Sequence, residues 1–214
     1  MTITVLLAND HVVVRDGLRY LLEAQGDIEV IAQADDGRQA VDQAIKTHPQ
    51  VVVMDISMPM LNGIEATRQI CAACPTVRVV MLSIHSDVEY IHRALRAGAS
   101  GYLLKESAGA ELVAAVRRVQ EGCRYLSLKI DETDLENFAK FNHEKSPLES
   151  LSRREREVFQ LTVEGKSSAA IAKLLALSPK TVATYRSRIM HKLGLYDLPA
   201  LVKFAIQHGV TPLE

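Results

Sequence analysis

Five short apolar runs rich in β-branched residues punctuate the first half of the chain: Ile3–Ala8, Ile28–Gln33, Val51–Met54, Val77–Ser83 and Ser100–Leu104. Between them the apolar residues fall at helical spacing, as with Val14, Leu18, Leu21 and Leu22, and later Leu112, Val116 and Val119. Gly26 and Gly122 stand where helices end, and Pro49 and Pro75 mark the approaches to strands. Strand followed by helix, repeated five times, predicts a doubly wound α/β domain whose five-stranded parallel sheet is covered on both faces.

The alternation fails near residue 124. The stretch 125–147 is polar, contains Pro147 and has room for one short helix, so it reads as a linker between a first domain at 1–124 and a second at 148–214. The second domain shows four helical patterns, Arg153–Glu164, Ser168–Ala176, Pro179–Leu193 and Leu198–His208, and no strand: a small all-α unit. Charge divides in the same place. Residues 147–214 hold 10 Lys+Arg against 6 Asp+Glu, whereas the remainder holds 15 against 20, which suggests different partners for the two halves. No apolar run reaches membrane-spanning length and no leader pattern opens the chain, so a soluble, cytoplasmic protein is expected. Cys71, Cys74 and Cys123 read as reduced structural cysteines, because the Cys71–Cys74 spacing has no second Cys or His pair to complete a metal site.

In a doubly wound sheet ligands bind at the carboxyl ends of strands. The first strand ends at Asn9 and Asp10, the third at Asp55, the fourth at Ser83 and the fifth at Lys105. Two carboxylates from separate strands suit Mg²⁺, which takes one or two such ligands and keeps several waters. The backbone carbonyl of Ser57 adds a neutral oxygen. A carboxylate attacks a phosphorylated donor only if like-charge repulsion is offset, and the cation and Lys105 supply that offset while Ser83 can hydrogen-bond phosphoryl oxygens. The set reads as machinery for phosphorylating Asp55. His11 and His85 flank it, and nothing in the sequence commits them to chemistry.

These residues sit in "MDISMP" followed by "NG", "MLSIHSD" and "GASGYLLKE", and in that order and spacing residues 1–124 resemble the receiver domain of bacterial two-component response regulators. The resemblance implies a flavodoxin-like strand order 2-1-3-4-5, Asp55 as phosphoacceptor from a sensor histidine kinase, and Asp10 and the Ser57 carbonyl as direct Mg²⁺ ligands. It further implies Ser83 and Lys105 around the phosphate and Tyr102 as an aromatic switch. Asn9 departs from the family's usual second acid; it is expected to act on the metal through water, with weaker Mg²⁺ affinity.

The second domain carries its own signals. Ser152 with Glu155 makes a capping box, Gly165 closes that helix, and Ser168 opens the next, with Ile171, Leu174 and Leu175 on its apolar face. Ser178 caps a third helix that has Pro179 at its first position. Val182, Ile189 and Leu193, with Tyr185, point one way. The opposite face offers Lys180, Ala183, Thr184, Ser187, Arg188 and His191 without an acid, which suits the major groove of double-stranded DNA.

Residues 148–210 resemble the LuxR-type helix-turn-helix through "LSRREREV", "IAKLLALSPKTV", "KLG" and "LVKFAIQHG", and the whole chain resembles the NarL/FixJ class. That resemblance implies base-edge contacts from Lys180, Thr181, Ala183, Thr184 and Ser187, phosphate clamps at Arg186, Arg188 and Lys192, and a homodimerisation surface on the last helix. The expected function is a phosphorylation-controlled transcriptional regulator rather than an enzyme. Two rivals are a phosphohydrolase, disfavoured because Ser57 stands where a second acid is needed, and a DNA-binding protein whose receiver works without phosphorylation.

Overall fold

The computed structural model describes residues 2–141 and 146–211. They form two compact units, one on residues 2–58 and 62–141 and the other on residues 146–211.

In the first unit the apolar runs form β1 (Ile3–Ala8), β2 (Ile28–Ala34), β3 (Val51–Asp55), β4 (Arg78–Ser83) and β5 (Gly101–Leu104). Helices α1 (Val12–Glu23), α2 (Gly37–Thr47), α3 (Gly63–Ala73), α4 (Val88–Arg96) and α5 (Ala108–Gln120) connect them. All pairings are parallel, in the order β2-β1-β3-β4-β5, followed by a short sixth strand, β6 (Tyr125–Leu126). The expected five-strand order is therefore kept and extended by one edge strand. β3 is buried along its whole length, as a central strand covered on both faces must be. One core layer sets Val5, Leu7, Val51, Val53, Val80 and Leu103 of the sheet against Leu18 and Leu22 of α1 and Leu112, Val116 and Val119 of α5. Helices α2, α3 and α4 line the other face.

Within the stretch expected to be a linker, the residues as far as 141 belong to the first unit. After β6 it forms α6 (Glu132–Phe141), which packs on α4, with Leu135 buried and the Phe138 ring edge-on to His92 at 5.3 Å. Its boundary was hidden because a two-residue strand is too short to show a period.

The second unit contains α7 (Arg153–Val163), α8 (Ser168–Leu175), α9 (Pro179–Leu193) and α10 (Leu198–Gln207). Four side-chain caps start them: Ser152 with its Glu155 capping box, Ser167, Ser178 and Asp197. Gly194 ends α9 in the left-handed conformation (φ 66°) that glycine adopts without a Cβ penalty. Val158, Phe159, Leu161, Ile171, Leu175, Val182, Ile189, Leu201 and Ala205 make the core, whereas Leu174 is 41% exposed and lies off the inward face.

Candidate functional site

The β-strand ends bring the predicted pocket together. Asp55 is the last residue of β3 and is 1% exposed; Asn9 and Asp10 follow β1, and Lys105 follows β5. Lys105 Nζ donates to Asp55 Oδ2 at 2.7 Å, and the Ser57 backbone N–H reaches Oδ1 at 3.3 Å. Burial pushes the Asp55 carboxyl above its ordinary range, and the Lys105 ammonium works against that shift.

Asn9, expected to act on the metal through water, contacts Asp55 itself in this structure. Its Nδ2 donates directly to Asp55 Oδ2 at 2.9 Å, while its Oδ1 accepts the His11 backbone N–H at 2.8 Å. The two contacts fix the amide's orientation, since a backbone N–H needs the oxygen and a carboxylate needs the nitrogen. The amide thus stabilises the Asp55 carboxylate as a hydrogen-bond donor, while the charge opposite it comes from Lys105. Arg15, which the helical pattern of α1 gave no reason to single out, is buried and holds this turn. Its Nη1 donates to the Asn9 carbonyl at 2.5 Å and pairs with Asp35 at 2.7 Å, and its Nε donates to Gln33 at 2.9 Å.

Asp10 stands at the open side, its side chain 31% exposed, with Oδ1 2.8 Å from His11 Nδ1. Ligand atoms of Asp10, His11 and Asp55 lie within 4.8 Å of one another. Two carboxylates in that small space are hard oxygen donors of the sort Mg²⁺ selects, so the residues present fit the ion.

Ser83, the last residue of β4, is turned toward Tyr102. Its Oγ accepts the His85 backbone N–H at 2.9 Å, and the His85 carbonyl accepts the Tyr102 hydroxyl at 2.8 Å. Tyr102 is fully buried, and that burial raises its hydroxyl well above the ordinary tyrosine range, with the Ser83 hydroxyl opposing the shift. The His85 ring stacks on Tyr90 of α4 (centroids 4.3 Å apart, 16° between planes), which steadies the loop from outside.

Gly63 lets α3 begin against this pocket. Its N–H donates to the Ile56 carbonyl at 2.8 Å, and a Cβ at this position would lie 1.9 Å from the Asp55 carbonyl oxygen.

On α9 the predicted DNA face is exposed at Lys180, Ala183, Thr184, Ser187 and Arg188. Thr181 shares its hydroxyl with Ser178 at 2.8 Å, and Thr184 Oγ1 donates back to the Lys180 carbonyl. Tyr185, read only as a packing residue, lines a recess with Lys180, Thr184 and Arg188. Arg186 reaches Ser168 Oγ at 3.2 Å. Lys192 is tied inward: its Nζ contacts Glu155 Oε2 at 2.7 Å and the Ser150 carbonyl at 3.1 Å. Burial of Glu155 opposes its charge, but Lys192 and the Ser152 cap outweigh that and hold the carboxyl below its ordinary range.

Residues 5–117 match the family model of the response regulator receiver domain, and residues 149–205 match that of the bacterial regulatory proteins of the luxR family. The transcriptional regulatory protein DegU of Brevibacillus brevis is 36% identical over 97% of this chain and 94% of its own. The response regulator UvrY of Escherichia coli (strain K12) is 37% identical over 99% and 97%. Among solved structures, the RcsB response regulator of Salmonella typhimurium is 26% identical and covers 95% of this chain and 97% of its own with a TM-score of 0.59. An RcsB–DNA complex aligns at 26% identity, 95% and 98% coverage and a TM-score of 0.60. Among the described residues no helix is long and apolar enough to cross a membrane.

Proposed function

The chain belongs to the NarL/FixJ-class response regulators, transcriptional regulators of two-component systems that join a receiver to a LuxR-type DNA-binding domain, and from that premise we propose how its own residues work. Asp55 is the phosphoacceptor. The observation that carries this is the Lys105 ammonium on its buried Oδ2 at 2.7 Å, with a second carboxylate, Asp10, at the pocket's open side. In this pocket an Asp55 oxygen would form the bond to phosphorus as the bond from phosphorus to the imidazole nitrogen of a sensor histidine kinase's phosphohistidine breaks and leaves its electron pair on that nitrogen. Asp10, Asp55 and the Ser57 carbonyl would hold Mg²⁺, which when bound would supply charge neutralisation for the phosphoryl oxygens.

The protein's own contribution is positioning. Lys105 stays on the phosphoryl group, and Ser83, whose oxygen is held by the His85 N–H, keeps its own proton to offer. Turning that proton from Tyr102 to a phosphoryl oxygen alters the β4–α4 loop, which Tyr102 and His85 share. A bias of a few kcal/mol suffices for such a two-state change. The output is DNA binding by a homodimer through Lys180, Thr181, Ala183, Thr184 and Ser187, with Arg186 and Arg188 on phosphates, on half-sites about one helical turn apart. We assign the receiver to residues 1–124 with the β6 and α6 segment attached, the DNA-binding domain to 148–214, a cytoplasmic location, and no catalytic turnover of its own.

A second reading has one observation in its favour. Lys105 already pairs with Asp55, Asn9 donates a hydrogen bond to it and Tyr102 is buried, an arrangement that supports a receiver working without a phosphoryl group. One experiment separates the readings: incubate the chain with Mg²⁺ and a small phosphodonor, map the adduct by peptide mass, and measure DNA affinity and oligomeric state before and after. An adduct on Asp55, absent in Asp55→Asn, together with a changed affinity supports the switch. An adduct without any change favours the second reading, and rapid multiple turnover of phosphate would move the protein into the phosphohydrolase class.

A further inference from the structure

A strand of two residues has little pairing of its own to hold it. β6 and the residue after it are nevertheless fastened by two backbone hydrogen bonds. The Tyr125 N–H donates to the Ser100 carbonyl at 3.2 Å, the Ser127 N–H donates to the Tyr102 carbonyl at 2.9 Å, and the strand lies in register with β5, Tyr102 opposite Leu126.

The main fastening is a carboxylate. Glu111, in the first turn of α5, is 8% exposed, and its Oε2 alone accepts the Tyr125 hydroxyl at 3.0 Å, the Ser127 hydroxyl at 2.9 Å and the Leu128 N–H at 3.2 Å. Burial opposes the charge on Glu111, but these donors outweigh it and keep the carboxyl below its ordinary range. Tyr102 is thereby joined in two directions. Its hydroxyl holds the His85 carbonyl in the loop before α4, and its backbone carbonyl holds Ser127, the residue after β6, from which the chain runs on to α6.

We propose that Glu111 is a positioning residue for the output of the receiver: its carboxylate fixes residues 125–128 to the Tyr102 strand, so that a change at Tyr102 is transmitted into α6 and the chain beyond. Without the clamp, β6 frays and the change at Tyr102 ends at the sheet edge. The inference rests on the phosphorylation switch proposed above.

The test uses the full chain and a duplex selected by the wild-type protein from a random pool. Wild type, Glu111→Gln, Tyr125→Phe and Ser127→Ala are compared for amide exchange at 125–128, for adduct formation on Asp55 with Mg²⁺ and a small phosphodonor, and for the ratio of DNA affinities with and without the adduct. In Glu111→Gln, exchange at Ser127 and Leu128 is expected to rise about tenfold or more. Asp55 is expected to label at the wild-type rate, and the affinity ratio is expected to fall toward one. The two single-donor variants should lie between. A merely structural role would lower thermal stability and leave the ratio intact. An unchanged ratio in Glu111→Gln overturns the proposal, and so does unchanged exchange, which would mean that the carboxylate does not hold the strand. Absence of an adduct, or of any affinity change, in the wild-type arm instead marks failure of the switch reading itself.

Discussion

The Asn9 side-chain nitrogen lies 2.9 Å from Asp55 Oδ2, the same oxygen that Lys105 engages at 2.7 Å. An aspartate in place of Asn9 keeps the shape and the bond from the His11 N–H, but it turns an attractive contact into two carboxylate oxygens facing each other. Without divalent cation, Asn9→Asp is expected to lose about 1–3 kcal/mol of stability, the cost of an unmade buried hydrogen bond plus like-charge repulsion. With Mg²⁺ the added charge tightens binding, so thermal stability should rise with Mg²⁺ far more steeply than in wild type. Calorimetric titration together with melting curves checks both halves. Equal Mg²⁺ affinity in the two proteins would show that Asn9 does not act on the metal.

Gly63 stands where α3 starts beside Asp55. A methyl group there meets the Asp55 carbonyl oxygen at 1.9 Å, and that atom is backbone, which cannot swing aside as a side chain would. Gly63→Ala is expected to cost about 3 kcal/mol or more and to distort the turn after Asp55. Chemical denaturation measures the loss, and Asp55 labelling should slow in the fraction that still folds. Near wild-type stability would mean that α3 can shift away from β3 at little cost.

Tyr102→Phe removes only the hydroxyl that donates to the His85 carbonyl. The ring stays buried, so the loss is expected to be about 1 kcal/mol, the net worth of one hydrogen bond. Amide exchange in the loop from Ile84 to Asp87 should accelerate, while labelling of Asp55 continues and the DNA response weakens. An unaltered DNA response would remove Tyr102 from the signalling path.

The pocket was legible in the sequence because each of its groups ends an apolar strand, and in a parallel sheet all strand ends share one edge. Asp10, Asp55, Ser83 and Lys105 needed only that rule to be placed. The direction of each hydrogen bond was not legible. Asn9 could face a metal-bound water or Asp55, and only the fixed His11 N–H decides which end of the amide turns inward. Arg15 reads as an ordinary helix cation until the Asn9 carbonyl is seen against it. Glu111 reads as an acid in a first helical turn, favoured there by the helix dipole, because Tyr125, Ser127 and Leu128 lie 14 to 17 residues away, in and just after a strand too short to show a period.

The same blindness to partners affected Lys192, expected on DNA phosphate but ion-paired with Glu155, whose side chain is 4% exposed. Removing the lysine leaves that carboxylate in the capping box without its cation. Lys192→Ala is therefore expected to destabilise the DNA-binding half by about 1–3 kcal/mol at neutral pH. Glu155 has a lowered carboxyl value, so the stability it contributes is present above its ordinary value of 4.5 and is lost as pH falls through the folded value. The gap between wild type and Lys192→Ala should accordingly close in acid. DNA binding should respond in the opposite pattern: Arg188→Ala and Lys180→Ala each lower the salt dependence of affinity by about one counterion, whereas Lys192→Ala leaves that slope near wild type. A slope reduced by Lys192→Ala as much as by Arg188→Ala would show that the ion pair opens on DNA and the lysine moves to phosphate.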